Sequence, residues 1–387
     1  MLTPISLTPS FGFGDRLGLA TPGHIAAVRG TGLTPVFAQQ SVRENTRTGR
    51  TPQQVLDDAR RAVEAAGWDA PWGADADHLK SVDDFPPFVE AGYTLFTVDP
   101  GEHVDNAASV DPLTVLMEKA KGLDWDRLAT SYLKSTTDQL WGSFDKESLK
   151  RAAVKYGRAI AHTASMYQRL CTMKDAFDFE ISVDETDAPT TPLEHYFIAN
   201  ELTEAGVKFT SLAPRFIGRF EKGVDYIGDL AALDVEMARH AAVTKHFDTY
   251  KISLHSGSDK FSVYPLLVNH WGSRLHIKTA GTSYLEALRT LAVTESALFE
   301  RIWTLGLERY AEDRATYHVS ADPQKVASGL SLAALLDDFH AREILHVTFG
   351  SALMRFGNEI KATLVKHMDA YNANLQNHFR KHLDLLK

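Results

Sequence analysis

Two stretches of this chain, Thr51-Pro52-Gln53-Gln54 and Thr191-Pro192-Leu193-Glu194, use the same device to start a helix. A threonine hydroxyl offers an N-cap, and proline takes the first helical position, where its missing N–H costs nothing. Gln or Glu three residues on then closes a capping box. The first helix carries Val55, Ala59, Ala62, Val63 and Ala66 on one face and stops at Gly67; the second runs to Gly206. Ser283-Tyr284-Leu285-Glu286 predicts a third boxed start without proline. A strand-like run accompanies each helix, at 35–42, 177–185 and 275–280, and further runs lie at 94–99, 208–213 and 250–255. Strand, loop, capped helix, strand is the pattern of parallel βα units, which close as a barrel or open as a doubly wound sheet. No compositional break or low-complexity linker divides the series. The expectation is therefore an α/β fold, a TIM-type (β/α)8 barrel over residues 1–330. From Ser331 to Leu386 apolar residues recur every three or four positions with no strand candidate. That predicts a helical C-terminal extension, 331–387, packed on the barrel.

The chain of 387 residues is 44% hydrophobic and 24% charged, which suits a folded core rather than disorder. A net charge of −9 excludes a partner as anionic as nucleic acid, which needs a concentrated basic surface. No run approaches the ~20 apolar residues of a membrane span, and the first ten residues lack a basic-then-apolar signal pattern. With Cys171 as the only cysteine, no internal disulfide or CxxC metal site can form. A cytoplasmic protein acting on a small molecule is expected, with homo-oligomerisation left open.

The opening FGFGDRLG tests one cofactor class. A dinucleotide loop needs G-x-G-x-x-G after a strand and leading into a helix. Here the spacing is Gly12-x-Gly14-x-x-x-Gly18, Pro22-Gly23 interrupts any helix beyond it, and the upstream SLTPS is a poor strand. Nicotinamide is not expected. The glycines instead suit close backbone approach, with Asp15 and Arg16 at a pocket mouth and Arg16 able to grip a carboxylate bidentately.

Phe11-Gly-Phe-Gly-Asp-Arg-Leu-Gly18 with Ala20-Thr-Pro-Gly-His24, Gly73-Ala-Asp-Ala-Asp-His78-Leu-Lys80, Ser182-Val-Asp-Glu-Thr186 and Leu345-His-Val-Thr-Phe-Gly350 resemble the tagaturonate epimerase family in order along nearly the whole chain. The resemblance implies a metal-dependent sugar epimerase on a TIM-type barrel, interconverting D-tagaturonate and D-fructuronate at carbon 4. Some relatives accept fructose and tagatose. A metal-dependent aldolase or ketose isomerase, or a non-catalytic sugar-binding barrel, are the alternatives.

The site is read from the strand ends, where barrel enzymes place their chemistry. Period-two alternation sends Glu180, Ser182 and Asp184 inward with Glu185 at the tip, Lys251, Ser253 and His255 inward on another strand, and His276 and Lys278 on a third. Two imidazoles and a carboxylate from separate strands, with open positions, suit a catalytic divalent ion: zinc first, with manganese, nickel or cobalt as alternatives. Glu185, His255 and His276 are the expected ligands, and Asp184 can exchange roles with Glu185. In the motif 73–80, the resemblance favours proton transfer by Asp77 or His78 over a solvated loop, with Asp184 orienting a ligand or acting as second base. The run Asp99-Pro-Gly-Glu102-His103 is a second ligand source, read as a solvated loop. Substrate contacts are expected from Arg16, Lys80, Arg215, Lys251, Ser258, Lys278 and Thr279, since the loops after both histidine strands carry glycine and one opens a helix fit to receive an anion. Asp338, Arg342, His346 and Gly350 form a helical stripe that either closes the mouth or is a salt-bridged surface. Carbon 4 is not adjacent to the ketone, which leaves retro-aldol cleavage between carbons 3 and 4, then re-addition, as the favoured route over hydride or proton transfer.

Overall fold

Eight parallel strands close in chain order into a barrel: Ser10–Phe13 (β1), Thr34–Ser41 (β2), Gly73–Leu79 (β3), Leu95–Val98 (β4), Asp178–Val183 (β5), Ser211–Pro214 (β6), Lys251–Leu254 (β7) and Leu275–Thr279 (β8). The computed structural model describes residues 1–133 and 140–387. β8 returns to pair with β1 through Ser10↔His276 and Gly12↔Lys278, so no strand edge is left open.

Alternation sorts each strand by side. Phe11, Phe13, Ala74, Ala76, Phe96, Val98, Phe179, Ile181, Leu212, Ile252 and Ile277 are buried in the apolar layer under the helices. The opposite set, including Asp75, Thr97, Glu180, Ser211, Ser253, His276 and Lys278, is buried as well and is polar. The lumen is thus filled by hydrogen-bonded and charged groups rather than the branched aliphatics usual in such barrels.

Helices Pro52–Ala65 and Pro192–Glu204 begin as predicted: the Thr51 and Thr191 hydroxyls accept from the N–H groups of Gln54 and Glu194, and both boxes close. The third start differs. Helix Thr282–Thr294 begins after Gly281, whose φ of +86° suits glycine, and has no side-chain cap. Ser283 lies inside it and donates to the Gly14 carbonyl at 2.7 Å, fastening the helix to the loop after β1.

Beyond the barrel run helices Ser296–Asp313, Phe339–Val347, Phe349–Lys366 and Met368–Asp384. The last packs on helix Thr21–Val28, where Gly23 permits close approach: a Cβ there would stand 2.6 Å from Leu375 Cβ. No helix among the described residues is long and apolar enough to cross a membrane.

Candidate active site

The C-terminal mouth of the barrel gathers His78, Asp99, Asp184, Glu185 and His255. His78 reaches it through a backbone irregularity. Alternation after the inward residues Asp75 and Asp77 would turn His78 outward, but β3 breaks register with β4 between Ala76 and Leu79, and His78 adopts φ +56°. A bulge of this kind re-aims a side chain, and a left-handed non-glycine residue is a cost usually met at functional positions.

Each imidazole is held by a carboxylate on one nitrogen and faces the mouth with the other. His78 Nδ1 lies 2.9 Å from Asp77 Oδ1, and its Nε2 faces Asp184 Oδ1 at 3.8 Å and Glu185 Oε1 at 3.9 Å. His255 Nε2 lies 2.7 Å from Glu180 Oε1, with Nδ1 3.4 Å from Asp184 Oδ1. The held nitrogens donate to Asp77 and Glu180, and the facing nitrogens, directed at Asp184 and Glu185, are those at which a metal ion would replace a proton. A carboxylate that fixes the far nitrogen in this way is typical of metal-binding histidines. Ligand atoms of His78, Asp184 and His255 lie within 4.8 Å of one another, as do those of His78, Asp99 and Glu185. Two nitrogens and one to three carboxylate oxygens fit a divalent transition ion.

The electrostatics follow from this packing. Burial opposes charge on Asp184, but His255 and His78 hold its carboxyl well below the usual range. Burial likewise opposes charge on His78, yet Asp77, Asp184 and Glu185 raise it well above an ordinary imidazole. Burial pushes Asp99 up, with His78 opposing and Glu185 assisting. Glu185 stays below its ordinary value despite burial, chiefly through His78 and Arg43.

Two cavities meet at this centre. One of about 310 Å³ is lined by Asp184, Glu185, His255, Arg215, Lys222 and Tyr317. The other, about 390 Å³, is lined by His78, Lys80, Asp99 and Ser81. Arg43 and Glu185, 3.1 Å apart, belong to the walls of both. The cations differ in availability. Arg43 is paired with Glu185, whereas Lys222 donates to the Ser256 hydroxyl at 2.6 Å, and among the described residues no carboxylate forms an ion pair with Lys222 or with the Arg215 guanidinium.

Several residues singled out in the sequence lie elsewhere. Glu185, His255 and His276 do not meet as one trio. His276 is paired in register with Ser10 and Ser253, one inward layer below His255; its Nδ1 is 2.9 Å from Ser10 Oγ, and burial drives its pKa down to about 3. It groups instead with Asp75 and Glu180 deep in the lumen. Period two assigned its side correctly but not its height. Lys251, the first residue of β7, sits at the barrel floor, bonded to the Thr8 carbonyl and Ser10 Oγ at 2.8 Å each, away from the mouth. Lys278 is enclosed by Asp75 at 2.6 Å, Asp77 at 2.8 Å and Glu180 at 2.7 Å. Arg16 is buried against Glu44 at 2.7 Å and stacks on Phe349, so its fork is not free for a substrate. Thr279 donates to the Gly12 carbonyl at 2.6 Å and Ser258 to the Ala280 carbonyl at 3.2 Å; both tie loops together. Lys80 is exposed at the rim, 3.2 Å from Glu102. Asp77 lies under His78 rather than in either cavity lining, and Arg215 does line the mouth.

The C-terminal stripe turns inward: Arg342 binds Asp259 at 2.9 Å, and His346 Nε2 is 3.0 Å from the Ala280 carbonyl, securing the loops after β7 and β8. Arg43 and Lys222 were missed, and Asp99 was weighed as a second ligand source but read as a solvated loop. Asp99 follows β4 directly and Arg43 follows the run 35–42, so both had a strand-end signal; Lys222 lies in a segment with none.

A family model described as tagaturonate epimerase matches residues 2–386. The chain belongs to the tagaturonate epimerase family. A tagaturonate/fructuronate epimerase of Thermotoga maritima is 44% identical over 396 residues, covering 98% of this chain and 81% of that protein. Crystal structures of a fructuronate-tagaturonate epimerase from Cohnella laeviribosi, native and with one glycerol, superpose with a TM-score of 0.95 at 39% and 38% identity. Each match covers 100% of this chain and 83% of that one. The motifs read from the sequence thus point to the right family, and the fold is the TIM-type barrel they implied. As a family member the chain is an enzyme of the isomerase class, an epimerase.

Proposed function

We propose that this epimerase interconverts D-tagaturonate and D-fructuronate at carbon 4, with a divalent metal ion held by His78, Asp184 and His255. The observation that carries the reading is the 310 Å³ cavity, in which Asp184 and His255 share walls with Arg215 and Lys222, neither paired with a carboxylate among the described residues, while His78 faces Asp184 from the adjoining cavity. A 2-ketouronate offers a ketone with adjacent hydroxyls for the first and a carbon-6 carboxylate for the second. Bound there, the ion supplies Lewis-acid polarisation of the ketone.

The chain's own groups divide the remaining work. Arg215 and Lys222 hold the carboxylate by charge-assisted hydrogen bonds. Glu185, kept ionised by His78 and Arg43, takes the proton of the carbon-4 hydroxyl as the carbon 3–carbon 4 bond breaks. The electron pair of that bond becomes the enediolate of the three-carbon fragment, and carbon 4 becomes an aldehyde. Anchored by its carboxylate, the aldehyde fragment turns and presents its other face. Carbon 3 re-adds, and Glu185 returns the proton to the new alkoxide. Asp77 and Glu180 orient the two imidazoles throughout. This ordering uses the exchange between Asp184 and Glu185: Asp184 is the carboxylate nearest both facing nitrogens, and Glu185 faces both cavities.

The test uses carbon-labelled aldehyde fragment and solvent deuterium with the purified, metal-loaded protein. Exchange of label into the epimer, abolished in Glu185→Gln, is expected. Deuterium entering carbon 4 without fragment exchange rejects the cleavage route, and no interconversion of the two ketouronates rejects the substrate assignment.

A further inference from the structure

We propose that Lys278 is a positioning residue whose ammonium group locks His78 and His255 into one ligand frame by bridging Asp77 and Glu180. The inference rests on the reading that these two histidines hold a metal. Nζ lies 2.8 Å from Asp77 Oδ1 and 2.7 Å from Glu180 Oε1. Those are the same two oxygens that accept from the imidazoles, His78 Nδ1 at 2.9 Å and His255 Nε2 at 2.7 Å. A continuous chain, His78, Asp77, Lys278, Glu180, His255, therefore runs through the lumen from one facing nitrogen to the other.

Backbone pairing alone does not supply this link. Asp77 is on β3, Glu180 on β5 and Lys278 on β8, and no two of these strands are neighbours in the barrel. A cation in the lumen is the shortest connection between them. Its remaining contacts, Asp75 Oδ2 at 2.6 Å and Thr97 Oγ1 at 2.6 Å, fill the shell. An ammonium group has three protons and here has four oxygen partners, so none is left for a substrate. Lys278 lines neither cavity at the mouth and is only 3% exposed. Lysine suits the position because a compact point charge can be surrounded from all sides, whereas a guanidinium is bulkier and directs its donors within one plane.

The experiment measures Co(II) affinity by competition with a chromophoric chelator, with near-UV circular dichroism reporting the fold. Lys278→Met is expected to bind Co(II) about 10- to 100-fold more weakly than the unsubstituted protein, the range for losing a group that orients a metal ligand, with a changed visible Co(II) spectrum. Asp77→Asn and Glu180→Gln should each weaken binding. Combined with Lys278→Met, either should add less than its separate effect, because all three act through one network. If Lys278→Met fails to fold with three uncompensated carboxylates, Lys278→Met/Asp75→Asn removes one of them and is measured instead. A folded Lys278 variant that binds Co(II) as tightly as the unsubstituted protein overturns the proposal alone, as do strictly additive losses. An unsubstituted protein that takes up no Co(II) overturns the metal reading and this proposal with it.

Discussion

Arg215→Met separates recognition of an acid sugar from the chemistry performed on it. The substitution keeps an apolar stem of similar length and removes the guanidinium. In the folded protein that guanidinium lines the 310 Å³ cavity with no carboxylate partner among the described residues, so binding a substrate carboxylate breaks no existing ion pair. Arg43 and Arg16 differ in this respect, being paired with Glu185 at 3.1 Å and Glu44 at 2.7 Å. A hydrogen bond to a charged group contributes about 1.5–3 kcal/mol net. Full Coulomb attraction at contact would be larger, ~4 kcal/mol near a protein surface, but Arg215 is half-buried and gives up hydration to bind. At ~1.4 kcal/mol per tenfold, the loss in kcat/KM for D-fructuronate is about 10- to 150-fold. It should fall on both KM and kcat, because the carboxylate is held on binding and again while the aldehyde fragment turns. D-Fructose, which has a hydroxymethyl group in place of the carboxylate, should lose less than about threefold. Lys222→Met should show the same selectivity with a smaller loss, since its ammonium already shares a hydroxyl with Ser256 at 2.6 Å. Initial rates on both ketoses, measured with coupled assays at equal metal occupancy, give the comparison. An equal fall on the acid and the neutral sugar, or no fall on either, would refute the reasoning.

Three further outcomes are expected from packing and charge. Stripping metal with a chelator should reduce epimerase activity at least a hundredfold and restoring a divalent ion should recover it, while far-UV circular dichroism stays constant because the ligand residues sit on a barrel closed by backbone bonds. His24 is wholly buried against Phe13, and burial lowers its pKa to about 4, against 6.5 when unfolded. A base depressed in the folded state contributes its full stability above pH 6.5 and loses it as pH falls toward 4. Between pH 7 and 5 that amounts to ~2 kcal/mol, so the drop in urea-unfolding free energy should be about that much smaller in His24→Asn. Equal drops would show that His24 is not held neutral. Gly23→Ala and Gly157→Ala place the same methyl group in two helices: at Gly23 it meets Leu375 at 2.6 Å, and at Gly157 it meets nothing within 4 Å. Gly157→Ala should therefore stabilise by ~0.5–1 kcal/mol and Gly23→Ala destabilise by ~1–2 kcal/mol in the same urea titrations.

Six of the eight strands were legible because an outward apolar face alternates with a polar one, as in the run Phe179, Glu180, Ile181, Ser182. β1 and β3 were not. Gly73-Ala-Asp-Ala-Asp reads as a loop because its helix-facing residues are small alanines and its lumen-facing residues are aspartates. Strand propensity rewards branched and aromatic side chains, and a barrel that fills its interior with charge leaves those strands without them. The third helix start misled for a related reason. Ser283 has the chemistry of a cap, but its hydroxyl is used on the Gly14 carbonyl in the loop after the neighbouring β1, and Gly281 supplies the turn.

At the site, alternation fixed sides and left heights open. The strand bounds were right to within one residue, but inward residues of every layer were assigned to the mouth, which is why His276 and Lys251 were raised there from the middle and the floor of the lumen. His255 lies just past the end of β7 and needed no such correction. His78 lay beyond period-two reasoning altogether, since the φ of +56° that delivers it is a property of the bulge. The adjacent pair Asp184 and Glu185 is the case where sequence and geometry divide the work. The residue types mark a carboxylate centre, and the register of β5 decides which of them meets the imidazoles. Asp184 keeps the inward direction of Ser182 and meets His255 at 3.4 Å, while Glu185, of opposite parity, pairs with Arg43. A one-residue shift in that register would reverse their surroundings, and with them the proposed roles of ligand and base.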